Sequence, residues 1–171
     1  PNINDKSSTL DIVLSLADFI CERVKVFQKG PWLDTALNPV PEAKNANSIL
    51  VVPMNPFLYE GIAGIAMYLF DTAIFLEDSN LLMTSKGLMS SAVEEALNIK
   101  TPQLSGYTGL ASIIYSVNRC IEEDPNFLDE KLVIIPLIDI VAAEIENEIN
   151  LDLLTGIAGI GLALLPFVKR T

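Results

Sequence analysis

The 171-residue sequence has no histidine, only two cysteines, one tryptophan, and 11 basic residues against 22 acidic ones. Without histidine there is no Ser/His or Cys/His nucleophile pair, because the base that would take the proton is missing. Cys21 and Cys120 stand far apart in the chain. Each lies on an apolar helical stripe, where a buried structural thiol is the ordinary role. Carboxylates alone make a poor zinc site, so Glu122, Glu123 and Asp124 read as a solvated turn and no metal ligand is assigned. The formal net charge of −11 repels a phosphate backbone, and no basic cluster suits anionic lipid. Nucleic acid is therefore excluded as a partner.

Long hydrophobic runs are also lacking. The longest uncharged run, Leu153 to Val168, holds sixteen residues, including three glycines and Pro166. A spanning helix needs roughly 20 apolar residues, and Leu58 to Leu76 is interrupted by Glu60 and Asp71. No transmembrane segment is expected. The polar start "PNINDKSSTL" is no secretion signal, which together with the isolated cysteines points to the cytoplasm.

Half of the residues are hydrophobic, too many for a disordered chain, and 18.6 kDa is enough for one domain with a substantial core. The organising feature is a recurring G-x-x-G. It occurs in "LYEGIAGIAMYL" (58–69), "LSGYTGLASIIY" (104–115) and "LDLLTGIAGIGLALL" (151–165), each followed by mostly apolar residues. Counted from the first glycines, Gly61, Gly106 and Gly156, the spacings are 45 and 50 residues. Periods of this size mark stacked helical repeats. The glycines Gly61, Gly64, Gly106, Gly109, Gly156 and Gly159 are assigned structural roles. They permit close backbone approach and unusual dihedrals in the turn before each inner helix. They also leave the first helical N–H groups exposed, so that three positive helix ends ring one mouth of a barrel. Tight helix packing alone accounts for the glycines equally well.

Each repeat is expected to pair a G-x-x-G helix with a second amphipathic helix. Leu110, Ile113, Ile114, Val117 and Cys120 form one stripe; Leu128, Leu132, Ile135, Ile138, Ala142 and Ile145 form another, which Pro136 should kink or split. An N-terminal helix carries Leu10, Val13, Leu14, Ala17, Ile20, Cys21, Val24 and Phe27, with Ser8 and Asp11 as a capping box and Gly30–Pro31 as its stop. Trp32 to Pro56 holds four prolines and reads as an irregular connection, with "SILVV" (48–52) a short strand inside it. No alternating run is long enough for a larger sheet. The organisation expected is a single domain over 1–171: helix and connection in 1–56, then three αα-hairpins starting near 57, 102 and 152. "GIAGIG" is no dinucleotide fingerprint, since no strand precedes it.

With "WLDTAL", "LYEGIAGIAMYLF", "GYTGLASIIYSV" and "LDLLTGIAGIGLALL" in view, the chain resembles the cyclase domain of lanthionine synthetases and their stand-alone C-like relatives. The "LYEG" opening points to the class II, bifunctional branch. The resemblance runs from about Trp32 to the C-terminus. It implies an all-α fold, an α/α toroid of roughly seven hairpins, of which this chain would hold the first three as a partial barrel. It further implies an enzyme that adds peptide cysteine thiols to dehydroalanine or dehydrobutyrine in a lantibiotic precursor, with zinc lowering the thiol pKa. The family's zinc ligands, two cysteines and a histidine, lie in later repeats. No cofactor is therefore expected in this chain, zinc is expected in a full-length parent, and the chain alone is expected to be inactive.

One site residue carries over. The family places an aspartate four residues before the first glycine of the third repeat, and Asp152 with Gly156 and Gly159 fits that spacing. The resemblance makes Asp152 an active-site lining residue. The plain alternative is an acid in a helix's first turn, where it is generally favourable. Asp71 and Asp139 carry no comparable argument, and substrate-binding residues are not identified. Partners implied are the precursor peptide, the remaining toroid repeats and, through uncovered apolar faces, a second copy touching at Ile160 to Phe167 or at the N-terminal helix. Two other readings stand beside this one. A non-catalytic helical-repeat scaffold would use aromatics such as Tyr59, Tyr68, Tyr107 and Tyr115. Another α/α-toroid enzyme would need paired carboxylates that are not apparent here.

Overall fold

Apolar residues recurring every three to four positions set the helices, and tight acidic turns separate them. The structure, a computed structural model, describes residues 3–26, 33–37 and 49–168. In chain order these form α1 (Ile3–Val26), β1 (Leu33–Leu37), β2 (Ile49–Pro53), α2 (Ile62–Leu76), α3 (Ser79–Leu97), α4 (Leu110–Glu123), α5 (Glu130–Glu144), a 3-10 turn (Ile145–Asn147) and α6 (Ile157–Val168). The fold is all-helical apart from one antiparallel ribbon, in which Leu33 pairs with Pro53 and Leu37 with Ile49. The connection expected to be irregular thus contains two paired strands rather than one isolated one.

The G-x-x-G helices α2, α4 and α6 lie side by side, with α2 on α4 and α4 on α6. Helices α3 and α5 form a second layer: α3 covers α2, α5 covers α4, and α3 also touches α4 and α5. This is a sector of an α/α toroid, with α2, α4 and α6 as the inner helices. Helix α1 packs on α2 and α3, and the Tyr68 hydroxyl ties it to α2 by donating to the Val13 carbonyl at 2.8 Å. Central position makes α4 the best-covered helix; Leu110, Ile113, Ile114, Val117 and Cys120 are all fully buried. The rings of Phe70 and Phe127 meet edge to face at 4.9 Å in the same core.

Turn chemistry explains the hairpins. Between α2 and α3, Glu77 takes the left-handed conformation (φ 54°), and the Asp78 carboxylate accepts from the Asn80 and Leu81 N–H groups. Asp129 caps α5 by accepting from Lys131 N–H. Two sequence expectations change at this level, and a third, a kink or split at Pro136, loses the split. Helix α1 begins at Ile3, so Ser8 and Asp11 lie inside it rather than at its start; residues 3–7 contain no glycine or proline to stop the helix. Helix α5 passes through Pro136 without splitting. Leu132, whose carbonyl loses its partner there, is 70% exposed. Glu122 and Glu123 belong to the last turn of α4, where they accept from Asn118 and Arg119; only Asp124 lies in the turn. The proposed Gly30–Pro31 stop lies outside the described residues.

Candidate functional site

The three inner helices are entered by one loop built three times. In the first copy the N–H of Ile62 donates to the Asn55 carbonyl at 2.9 Å. In the second, Leu110 N–H donates to Gln103 at 2.8 Å, and in the third Ile157 N–H donates to Asn150 at 2.8 Å. The next N–H follows suit where Ala63 donates to Pro56 and Ala111 to Leu104. Asn55 and Asn150 also accept, through their side-chain oxygens, from the N–H two residues on, Phe57 and Asp152.

This geometry corrects the repeat register. The glycine before the helix is Gly61, Gly109 and Gly156, so the middle repeat starts from its second glycine and the spacings are 48 and 47 residues. Gly61 and Gly109 have extended backbones (φ −141° and −142°), and no described glycine has positive φ. Glycine is required by closeness instead. A Cβ on Gly109 would lie 2.5 Å from the Gln103 carbonyl oxygen, and a Cβ on Gly61 or Gly156 would strike Asn55 or Asn150 in the same way. The left-handed dihedral falls on Glu60 (φ 53°), not on a glycine. Nor are the first helical N–H groups simply left open: loop carbonyls accept from the first two of α2 and of α4, and the Asn150 carbonyl accepts from the first of α6.

Equivalent loop residues are joined in series. Tyr59 N–H donates to the Tyr107 carbonyl at 3.0 Å, and Tyr107 N–H donates to Leu154 at 3.3 Å. Beside this ladder a small residue of α4 and one of α6 rest on the loop of the repeat before. Ser112 accepts from Leu58 N–H at 3.1 Å, and Gly159 lies so close to Gly106 that a Cβ on Gly106 would come within 2.7 Å of its Cα. A niche of about 70 Å³ opens there, lined by Tyr107, Tyr115, Leu162 and Ala163. On the far side of the loops a polar cleft of about 440 Å³ runs between repeats two and three, lined by Gln103, Ser105, Thr108, Glu144, Glu148 and Thr155. Ser105 and Thr108 hydroxyls are bonded to each other at 2.8 Å.

Asp152 sits in the third loop at the position of Ser105 in the second. Its carboxylate accepts from the Thr155 N–H at 2.9 Å, the Thr155 hydroxyl at 2.9 Å and the Leu154 N–H at 3.0 Å. Backbone and side-chain hydrogen bonds from Thr155, then those from Leu154 and Leu153, hold its pKa below the usual carboxylate value. The carboxylate is exposed and ionised at neutral pH. Asp71 lies elsewhere, on α2, 3.7 Å from Arg119, which also reaches Glu123 at 3.0 Å.

The residues present do not fit a zinc ion. The sequence has no histidine, and the described residues include no cluster of three metal-ligating side chains. Cys120 is fully buried, and desolvation, with a smaller contribution from Asp71, pushes its thiol up to about 12, so it offers no thiolate at neutral pH. Cys21 is half-buried on α1.

Residues 52–171 match the sequence family described as lanthionine synthetase C-like protein. The chain belongs to the lanthionine synthetase C-like family. The match spans all three loops and both hairpins, which accords with the toroid sector seen here. No curated protein and no solved structure matches the chain. Among the described residues no helix is long and apolar enough to cross a membrane. The position six residues before each capping glycine, occupied by Asn55, Gln103 and Asn150, escaped notice in the sequence. Its signal is an amide residue, five residues of any kind, then Gly-[Ile/Leu]-Ala-[Gly/Ser].

Proposed function

We propose that this chain forms the opening sector of a peptide thioether cyclase. The reaction adds a cysteine thiol to the β-carbon of dehydroalanine or dehydrobutyrine, forming a C–S bond while a proton goes to the α-carbon. The observation that supports this most is the family match over the residues that build the three equivalent loops. Class II membership, a cytoplasmic setting and a lantibiotic precursor as substrate belong to the same proposal. The zinc that activates the thiol would be held by residues outside this sequence, since the donors here do not suit it. Asp152, ionised and fixed by Thr155, would line the site as a negative charge and hydrogen-bond acceptor, not as a proton donor at neutral pH.

The test uses a synthetic peptide holding one cysteine and one dehydroalanine. Addition leaves its mass unchanged, so loss of alkylatable thiol is the readout. The chain alone, with zinc, should consume no thiol above background. Joined to a later-repeat segment bearing two cysteines and a histidine, it should consume thiol, and Asp152→Ala should slow that consumption. Turnover by the chain alone, or none by the joined protein, would reject the proposal. The poor donor set favours a second reading, a non-catalytic helical scaffold that binds the peptide; saturable peptide binding with no turnover in the joined protein would select it.

A further inference from the structure

The polar cleft between repeats two and three has both of its walls within this chain. One wall is the second entry loop, with Gln103, Ser105 and Thr108; the other is the end of α5 and the turn after it, with Glu144 and Glu148. Its volume, about 440 Å³, lies in the range of small-ligand sites. No lysine or arginine lines it, and neither glutamate forms an ion pair with a described residue. Glu144 accepts from the Asn147 side chain at 3.3 Å, and Glu148 from the Asn150 N–H at 2.9 Å. The repeat itself does not require this lining. Counted from the capping glycines, the place of Glu144 is taken at the preceding junction by Leu97, that of Glu148 by Thr101 and that of Ser105 by Phe57.

Ser105, 3% exposed, and Thr108 supply a second feature. Their oxygens are 2.8 Å apart, so one hydroxyl proton lies between them. A hydroxyl pair carries two protons, and the second has no acceptor among the described residues. The cleft thus offers two carboxylates without a cation and, on its buried wall, a hydroxyl donor without an acceptor. A bare cation would answer the first need alone, and a neutral carbonyl the second alone. A basic residue within a peptide answers both. We propose that the cleft binds such a residue, its cationic head against the carboxylates and a main-chain carbonyl of the peptide on the hydroxyl pair. Thr155 joins this cleft to Asp152: it lines the cleft, and its N–H and hydroxyl hold the Asp152 carboxylate. A peptide anchored here lies against the loop that carries Asp152. Such binding follows from the lining and does not depend on the thioether reaction.

Amide chemical shifts of the isotope-labelled 171-residue chain, titrated with the acetylated and amidated tripeptide Gly-Lys-Gly, read the site directly. Saturable shifts are expected in 103–108 and 144–155, Thr155 included. The same peptide with norleucine in place of lysine should bind about tenfold more weakly, and n-butylamine, the lysine head without a carbonyl, at least about threefold more weakly. Glu144→Gln with Glu148→Gln should also cost about tenfold, while keeping an oxygen to accept from the Asn150 N–H. Asp18→Asn with Glu22→Gln removes the same charge from α1 and should leave the affinity unchanged. Equal weakening by the two pairs, or shifts that spread over the surface without saturating, would mean general attraction to an acidic protein and overturns the proposal. So does norleucine binding as well as lysine, or n-butylamine binding as well as the peptide. Should the glutamine pair lose helical circular dichroism, the norleucine comparison on the unmodified chain decides alone.

Discussion

Repeats two and three have nearly the same sequence pattern, the same entry loop and the same helix-capping glycine, yet α4 is buried on almost every side and α6 on one. Ile114 and Gly161 occupy equivalent positions; the first is fully buried and the second exposed. The difference lies in the neighbours. Helix α4 has α2, α3, α5 and α6 around it, whereas α6 rests chiefly on α4. In a repeat architecture, stability comes from nearest-neighbour contacts, so an identical helix can be core in one place and surface in the next.

The sharpest way to break that comparison is to truncate equivalent side chains. Phe70→Ala empties a core position against Phe127 and should cost about 3–5 kcal/mol of unfolding free energy. Leu165→Ala, at the matching place on α6, should cost less than about 0.5 kcal/mol in dilute protein. Urea titration of both variants reads the contrast, and equal losses would show that α6 is covered after all. Glycines give the next largest effect. Gly109→Ala drives a methyl into the Gln103 carbonyl and should cost about 1–3 kcal/mol. Gly161→Ala meets nothing within 4 Å and should raise stability by about 0.5–1 kcal/mol through helix propensity.

These contrasts bear on what could be read from the chain. The 3.6-residue spacing in α4 and the recurring G-x-x-G were enough to place three inner helices. Which glycine opens the second one was not legible, because both Gly106 and Gly109 are followed by plausible helix. The choice is made by the Gln103 carbonyl, which closes onto Leu110 N–H and leaves no room at Gly109 for a Cβ. The ribbon of β1 and β2 was half legible: Ile49–Pro53 looks like a strand through its run of Ile, Leu and Val, but its equally long partner Leu33–Leu37, with Asp, Thr and Ala at its centre, carries no such run. Asp152 was found by its spacing from Gly156, while its contacts with Thr155 depend on the folded loop.

A smaller effect concerns pH. Cys120 titrates near 9.0 when unfolded and is pushed up to about 12 by burial. Between those values the unfolded chain has lost a proton that the native chain keeps, so stability should fall as pH rises from about 9 towards 12. Cys120→Ala should flatten that part of the profile relative to the unmodified chain, as read by urea midpoints. Alkylation of the native protein should correspondingly label Cys21 before Cys120. The smallest effect is expected at Asp152, whose lowered pKa contributes stability above the ordinary carboxylate value and loses it as pH falls through the folded value. Asp152→Asn should therefore reduce stability slightly at neutral pH and leave it unchanged in strong acid. A large loss at neutral pH would mean that the third loop depends on this carboxylate more than its exposure implies.

Local spacing by itself determined that this protein is built of helices, that three of them recur with glycine at their entry, and that no histidine is available to any site it forms. Those properties belong to neighbouring residues or to composition, and folding cannot alter them. Only the tertiary structure decided the register of the middle repeat, the ladder from Tyr59 through Tyr107 to Leu154, and which apolar stripes are core. Each of these depends on a carbonyl or a helix brought up from dozens of residues away, and the apolar stripe of α6 reads the same in sequence whether a neighbour covers it or water does.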